Sequence, residues 1–445
     1  MLLMPKPDSP FHFAHVKLRP KPAVLALFLA LAFTASAQTK PRARDLGVPF
    51  DGTPGPNNAI TDVKGVEVGH TTLISGEGKL VVGKGPVRTG VTAIHPRGKT
   101  SNDAVFAAWF TLNGNGEMTG TTWVDDSGFL NGPVMITNTH SVGVVRDAVI
   151  AWKINHGTPD MEGYWWSLPV VAETWDGWLN DINGFHVRPE DAWHALDTAH
   201  SGPFEEGNVG GGTGMICNEF KGGIGTSSRV LDAKSGGYTV GVLVQCNYGR
   251  RDQLRIAGVP VGKEIPDHPA YGQDETASSM WGQPPKPALN EAEGAAQRPA
   301  GPLQSPPSST LEGRDTGSII VIVATDAPLI PTQLKRVAKK VSLGLGRDGS
   351  YSGDGSGDIF LAFSTANPGA VSPKSNQPNN VHPLTMLPND SLDPIFLATV
   401  QATEEAVVNA MIAAETMKGV DDHEVIALPH TRLREVLKKY NRLAK

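Results

Sequence analysis

An α/β fold, with sheets held between layers of helices, is what this sequence predicts. Three observations carry the prediction. Ile319-Ile320-Val321-Ile322-Val323 is continuously apolar, and so is Ile359-Phe360-Leu361-Ala362-Phe363. That is the pattern of strands covered on both faces. Leu334, Val337, Val341 and Leu345 follow Pro331 at helical spacing, and Phe396, Val400, Thr403, Val407, Ala410 and Ala414 follow Asp393-Pro394 in the same way. Pro suits the first turn of a helix, so both helices have a marked start. Strands buried on both sides and amphipathic helices together require packed layers.

In chain order, Lys17, Arg19 and Lys21 stand before the apolar run from Ala23 to Phe33, and Ala35-Ser36-Ala37 follows. A basic flank, a short apolar stretch and small residues make an export signal. The run is shorter than the roughly 20 apolar residues of a membrane span. Residues 1–37 are therefore expected to be removed, leaving a mature chain from Gln38 in the periplasm or outside the cell. No later segment reads as transmembrane. From Arg42 to about Gly90, short strand-like runs alternate with Gly turns, as in Val63 to His70. Val91 to Ile94 and Ala104 to Phe110 read as buried strands. Leu112 to Gly120 is a Gly/Asn loop, and Pro133 to Thr139 is a further strand. Val142 to Asn155 reads as a helix, with Val145, Ala148, Val149 and Trp152 on one face.

Val170 to Gly177 is a strand running into a polar loop. Met215 to Phe220 and Tyr238 to Gln245 read as two strands joined by a long connection. From about Pro266 to Gly313 the chain is rich in Pro, Ala, Gly, Ser and Glu. Such a stretch buries too little apolar surface to offset its ordering entropy, so it is a linker or a tail. Beyond it come the strand after Ser318, a helix, a Gly/Ser/Asp loop from Gly349 to Asp358, a strand, a long helix, and a last helix holding Leu433, Val436 and Leu437.

The net charge of −6 gives no electrostatic reason to expect nucleic acid as a partner. Gly211-Gly212-Thr213-Gly214 lacks the Lys-Ser/Thr ending of a phosphate loop, and neither a Gly-x-Ser-x-Gly elbow nor a His-Glu-x-x-His zinc motif occurs. Cys217 and Cys246, the only two cysteines, have no metal-motif spacing. They can pair in an oxidising compartment, but buried free thiols are the reading preferred.

One dipeptide carries chemistry. Gly317-Ser318 stands directly before the buried strand. A Ser hydroxyl can attack its own preceding carbonyl if the backbone is distorted, and Gly permits unusual dihedrals and close approach. Hydrolysis of the ester would free an α-amine whose reference pKa is roughly 7.7–8.0, a base matched to neutral pH. A hydroxyl beside such a base is an activated nucleophile. On the dipeptide alone, a simple turn into a strand remains the preferred reading.

The wider pattern decides. Leu112-Asn113-Gly114-Asn115-Gly116-Glu117-Met118, Thr137-Asn138-Thr139-His140-Ser141-Val142-Gly143, Val171-Ala172-Glu173-Thr174, Phe220-Lys221-Gly222-Gly223-Ile224-Gly225-Thr226, Thr316-Gly317-Ser318, Ala324-Thr325-Asp326-Ala327-Pro328-Leu329 and Ser356-Gly357-Asp358 occur in that order. From about Arg42 onward the chain resembles the β-aminopeptidase family, also called the L-aminopeptidase/D-amidase-esterase family of self-processing serine peptidases. The resemblance implies a four-layer αββα sandwich, like that of N-terminal-nucleophile hydrolases with different connectivity. It implies cleavage between Gly317 and Ser318, giving an α chain (residues 38–317) and a β chain (318–445) that together form one catalytic domain. Ser318 is then the nucleophile and Asn247 the oxyanion-stabilising Asn. Ser356 matches a second Ser that hydrogen-bonds the nucleophile, and Asp358 an acidic position orienting this network. Glu173 matches the carboxylate that holds the substrate's free amino group. Trp175 stands where the family has Tyr, a departure that bears on catalytic strength and substrate preference. The implied substrates are small peptides, amides or esters with a free amino group. No metal or organic cofactor is implied, and a homo-oligomer of α/β pairs is expected. Two rivals remain: an acyltransferase of the related fold, which would use Thr where this chain has Ser318, and a non-catalytic exported binding protein.

Overall fold

The structure is a computed structural model that describes residues 40–157, 166–271, 317–371 and 383–444. The expected export signal (1–37) and most of the Pro/Ala/Gly-rich segment, residues 272–313, lie outside the described residues.

Strands β1 (Glu67–Ser75) and β2 (Val87–His95) form a hairpin; β3 (Val105–Gly114) follows, then a short helix α1 (Thr121–Ser127), β4 (Phe129–Leu130) and β5 (Val134–Asn138). Helix α2 (Val142–His156) leads to β6 (Val170–Thr174) and α3 (Pro189–Thr198). A two-residue hairpin, β7 (Ile216–Cys217) and β8 (Phe220–Lys221), precedes the long pair β9 (Gly223–Val230) and β10 (Thr239–Asn247), then the single-turn helix α4 (Val261–Glu264). The remainder is β11 (Ser318–Thr325), α5 (Pro331–Arg347), β12 (Gly357–Ser364), α6 (Asp393–Ile412), the hairpin β13 (Met417–Lys418) and β14 (Glu424–Val425), and α7 (His430–Lys439).

Among the described residues two main sheets result, one in the order β1-β2-β5-β6 and one in the order β4-β3-β12-β11-β10-β9, beside the two short hairpins. Val91, Ala93, Met135 and Val171 of the first sheet face α2 and α3. Its other side, with Ile94, Val134, Ile136 and Ala172, packs against Leu243, Ile320, Ile322 and Leu361 of the second sheet. The far side of the second sheet meets α5 and α6. The fold is an αββα sandwich, as expected.

Strand β11 explains why its sequence is unbroken. Ile319, Val321 and Val323 enter the helix-facing core, while Ile320, Ile322 and Ala324 enter the core between the sheets. Side chains alternate across a strand, so a strand covered on both sides needs an apolar residue at every position. Each large one contributes about 1.5–3 kcal/mol on burial.

Four local expectations are corrected. Met215–Phe220 is the tight β7–β8 hairpin rather than one strand. The connection after it contains β9, a full partner of β10. Its polar sequence hides it, because its buried hydroxyls are satisfied individually: Ser227 Oγ donates to the Ala402 carbonyl at 2.6 Å and Thr226 Oγ1 to that of Val242 at 2.7 Å. Cys217 and Cys246 are joined in a disulfide, not free. The hairpin turns back beside the end of β10 and brings their Cα atoms to 5.5 Å, well inside bridging range. That distance depends on the fold, not on local sequence. Helix α6 also departs from a single apolar stripe, since residues on nearly all its faces are buried. It lies between the second sheet, α5 and an N-terminal arm that includes Ala43 and Arg44.

Candidate active site

Ser318 is the first residue of β11, at the mouth of the sandwich. It pairs with Asn247, the last residue of β10, on one side and with Gly357, the first residue of β12, on the other. All three strands therefore converge on one hydroxyl. Gly317 is required here by space: a Cβ there would lie 2.4 Å from Tyr248 Cα and 2.5 Å from the Asn247 carbonyl oxygen. The Gly317 carbonyl accepts from Gly357 N–H at 3.0 Å, which fixes the peptide unit that precedes the Ser. A Cβ at Gly357 would come within 3.1 Å of Ser318 Oγ and 2.1 Å of the Asn115 carbonyl, so the Asn/Gly loop crosses directly over the serine.

The Asn247 carboxamide is oriented by both of its ends. Oδ1 accepts from Ile216 N–H at 2.8 Å, and Nδ2 donates to the Trp175 carbonyl at 2.9 Å. An acceptor at one end and a donor at the other permit one amide orientation only. Trp175 thus serves the site through its backbone. Its indole folds back over Gly177 and packs beside Trp178, Ile216 and Met417.

On the other flank, Asp358 is fully buried. It accepts from Ser356 Oγ at 2.7 Å, and Ser352 Oγ donates to its second oxygen. The Ser356 hydroxyl donates to Asp358, and no hydrogen bond joins it to Ser318 Oγ among the described residues. The Ser356 oxygen keeps lone pairs that can accept. The loop 112–120 is pinned over this network by Asn115 Nδ2, which donates to the Gly355 carbonyl at 2.7 Å, and by Asn113 Nδ2, which donates to those of Ser352 and Gly353.

Glu173 ends on the same surface, in β6. It is buried, accepts from Glu117 N–H at 2.8 Å, and accepts from Thr139 Oγ1. Burial pushes its carboxyl above the usual carboxylate range. The bonds from Thr139 and the Glu117 backbone oppose that shift, and the charge of Glu117 reinforces it. A desolvated carboxylate of this kind favours a cationic partner. The site therefore offers a hydroxyl at a strand start, an oriented amide N–H donor, a buried carboxylate bonded by two serine hydroxyls, and a second buried carboxyl at Glu173.

Residues 58–425 match the model of peptidase family S58. The chain belongs to that family. It is 54% identical to the beta-peptidyl aminopeptidase BapA of Sphingosinicella microcystinivorans over 426 residues, 95% of this chain and 98% of the relative. The beta-peptidyl aminopeptidase of Sphingosinicella xenopeptidilytica is 47% identical over 94% of this chain and 96% of its own. Among solved structures, the L-aminopeptidase D-Ala-esterase/amidase of Ochrobactrum anthropi matches with a TM-score of 0.75 and 47% identity, covering 91% of this chain and all of that one. It is described as a prototype for the serine aminopeptidases and a new variant among the Ntn hydrolase folds. The S58 fold is thus the fold class read from the sequence.

The structure brings Ser318, Asn247 and the 356–358 turn together through adjacent strands, and places Glu173 under the loop that crosses them. Ser352, Thr139 and the Ile216 N–H escaped the sequence reading. Thr139 sits within the segment Thr137 to Gly143, where its residue type alone points to no role. Ser352 lay in a loop whose composition gave no signal. The Ile216 bond is made by backbone, which no side-chain pattern can reveal.

Proposed function

We propose that this S58 peptidase is an exported, self-processing serine aminopeptidase. It releases an N-terminal residue from small peptides, amides or esters through an acyl-enzyme on Ser318. The observation that carries the reading is the position of Ser318 as the first residue of the central strand, with Asn247 directly across from it and no room for a side chain at Gly317.

In processing, Ser318 Oγ bonds to the Gly317 carbonyl carbon and the Gly317–Ser318 C–N bond breaks. The departing nitrogen takes up a proton and becomes the α-amine of Ser318. Water then hydrolyses the ester, leaving a Gly317 carboxylate. The freed amine takes the hydroxyl proton during turnover. Asn247 Nδ2 donates to the oxyanion of each tetrahedral intermediate, a contribution typically worth about 10²–10³ in rate. Asp358 and Ser356 orient the nucleophile's surroundings, and Glu173 holds the substrate ammonium. The names of the S58 relatives support β-amino residues as the first substrate class and D-Ala amides and esters as the second. Multimers of α/β pairs are the expected assembly.

Intact mass and denaturing electrophoresis test this reading. Wild type is expected as two chains beginning at Gln38 and Ser318, and Ser318→Ala as one uncleaved chain without activity. A single full-length wild-type band would refute processing. Two bands without hydrolysis of β-homo-amino acid amides or Ala-p-nitroanilide would refute the aminopeptidase reading and favour a binding protein. Transfer of the acyl group to an added amine in preference to water would favour an acyltransferase.

A further inference from the structure

Lys221, in β8, is fully buried. An ammonium in such a place is costly unless its protons are bonded. Its Nζ donates to the Met215 carbonyl at 2.6 Å and to the Gly222 carbonyl at 2.9 Å. The first acceptor matters most. The Met215 carbonyl and the Ile216 N–H are the two ends of one peptide group, and that N–H donates to Asn247 Oδ1 at 2.8 Å. The Asn247 carboxamide then presents its own N–H groups at the opposite end. One bonds the Trp175 carbonyl at 2.9 Å, and Asn247 pairs with Ser318 across β10 and β11.

A continuous hydrogen-bonded line therefore runs from Lys221 Nζ through the Met215–Ile216 peptide to the Asn247 carboxamide, on the residue that faces Ser318 across the two strands. Both intermediate groups are amides with delocalised C–N bonds. A cation at an amide oxygen draws density toward that oxygen and makes the N–H at the far end a stronger donor. Hydrogen bonds linked in this way reinforce one another in a dry interior. The line is also held in register. Cys217 follows Ile216, Cys246 precedes Asn247, and their disulfide ties the two neighbours of the critical bond together.

We propose that Lys221 is a positioning and polarising residue for the oxyanion donor Asn247, acting through the Met215–Ile216 peptide. This rests on the reading of Ser318 as nucleophile and Asn247 as oxyanion donor. Lys221 touches no substrate. Its effect is felt only where negative charge develops, so it strengthens the transition state more than the ground state.

The test uses Lys221→Gln and Lys221→Met in wild-type and Asn247→Ala backgrounds, with rates expressed per cleaved chain. Loss of the polarising charge, being less than loss of the donor itself, is expected to lower kcat about 10-fold with KM unchanged. Affinity for an aminoalkyl boronic acid, which mimics the tetrahedral oxyanion, should fall by the same factor. In the Asn247→Ala background the Lys221 substitutions should cost nothing further. Unchanged kcat, an undiminished loss in the Asn247→Ala background, or a loss confined to KM would each overturn the proposal. Should neither variant fold, nitrogen NMR of wild-type enzyme labelled at lysine still decides: Lys221 Nζ must be a protected ammonium at pH 7.5, and a neutral amine there overturns the idea. Activity in Ser318→Ala would instead sink the functional reading on which this one stands.

Discussion

At the scale of single residues, burial sets the chemistry. Glu173 is displaced upward by desolvation despite the bonds from Thr139 and the Glu117 backbone. In its proposed role, its grip on a substrate ammonium should therefore weaken as the medium is acidified, starting above the usual carboxylate range. KM measured against pH should rise on that acidic limb, and Glu173→Gln should raise KM at least 10-fold at neutral pH, since an ion-paired hydrogen bond is worth about 1.5–3 kcal/mol. Asp176, one residue beyond Trp175, is pushed up to about 7 by burial, against bonds that include those from Thr89 and Asn180. Its folded pKa lies above its unfolded value, so the folded state binds the extra proton between the two. Stability from this group is complete below about pH 4 and is lost as pH rises toward 7. By linkage, Asp176→Asn should be more stable than wild type at pH 8 by on the order of 2–4 kcal/mol, with no such gain at pH 4. Urea unfolding at the two pH values measures the difference.

At the scale of elements, one buried carboxylate ties the N-terminal arm to α6. Glu405, fully buried, meets Arg44 at 2.8 Å and Arg229 at 2.8 Å, and accepts from Asn58 Nδ2 at 2.6 Å. Burial alone would raise its pKa. The bond from Arg44 and the charges of Arg229 and Arg44 outweigh burial and hold it below the usual range. Stability from this cluster is present above the ordinary Glu pKa and is lost as pH falls through the depressed one. Glu405→Ala leaves two guanidinium groups without their shared partner, and should cost about 3–5 kcal/mol, read as a lowered denaturation midpoint with the slope unchanged. The elements themselves were unequally legible. Helix α5 and strands β11 and β12 announced themselves because their burial is apolar. Strand β9 did not, since its buried side chains include Thr226, Ser227, Ser228 and Arg229, each satisfied by hydrogen bonds to other segments. The disulfide is not legible in the sequence because pairing depends on where β7 lands against β10.

At the scale of the whole molecule, the proposed break falls where the fold tolerates it. Ser318 begins a strand held by β10 on one side and β12 on the other. Cleavage before it interrupts no strand, and the two chains remain joined through the β10–β11 ladder and the Glu405 cluster. The processed chains should therefore co-elute as one species in native size exclusion and separate only under denaturing conditions. Native separation would contradict the shared sheet.

The sequence by itself determined the layered α/β class, the candidate cleavage point, and the residue types of the site. These rest on local burial patterns and on motifs that a chain carries wherever it folds. Only the tertiary structure decided that Ser356 donates to Asp358, that Cys217 and Cys246 pair, that Trp175 contributes its carbonyl rather than its ring, and that Lys221 stands behind Asn247. The Ser356–Asp358 bond is a choice of hydroxyl direction between residues two apart; each of the others depends on a distance between segments far apart in sequence or on a backbone group. The identity of a side chain records neither.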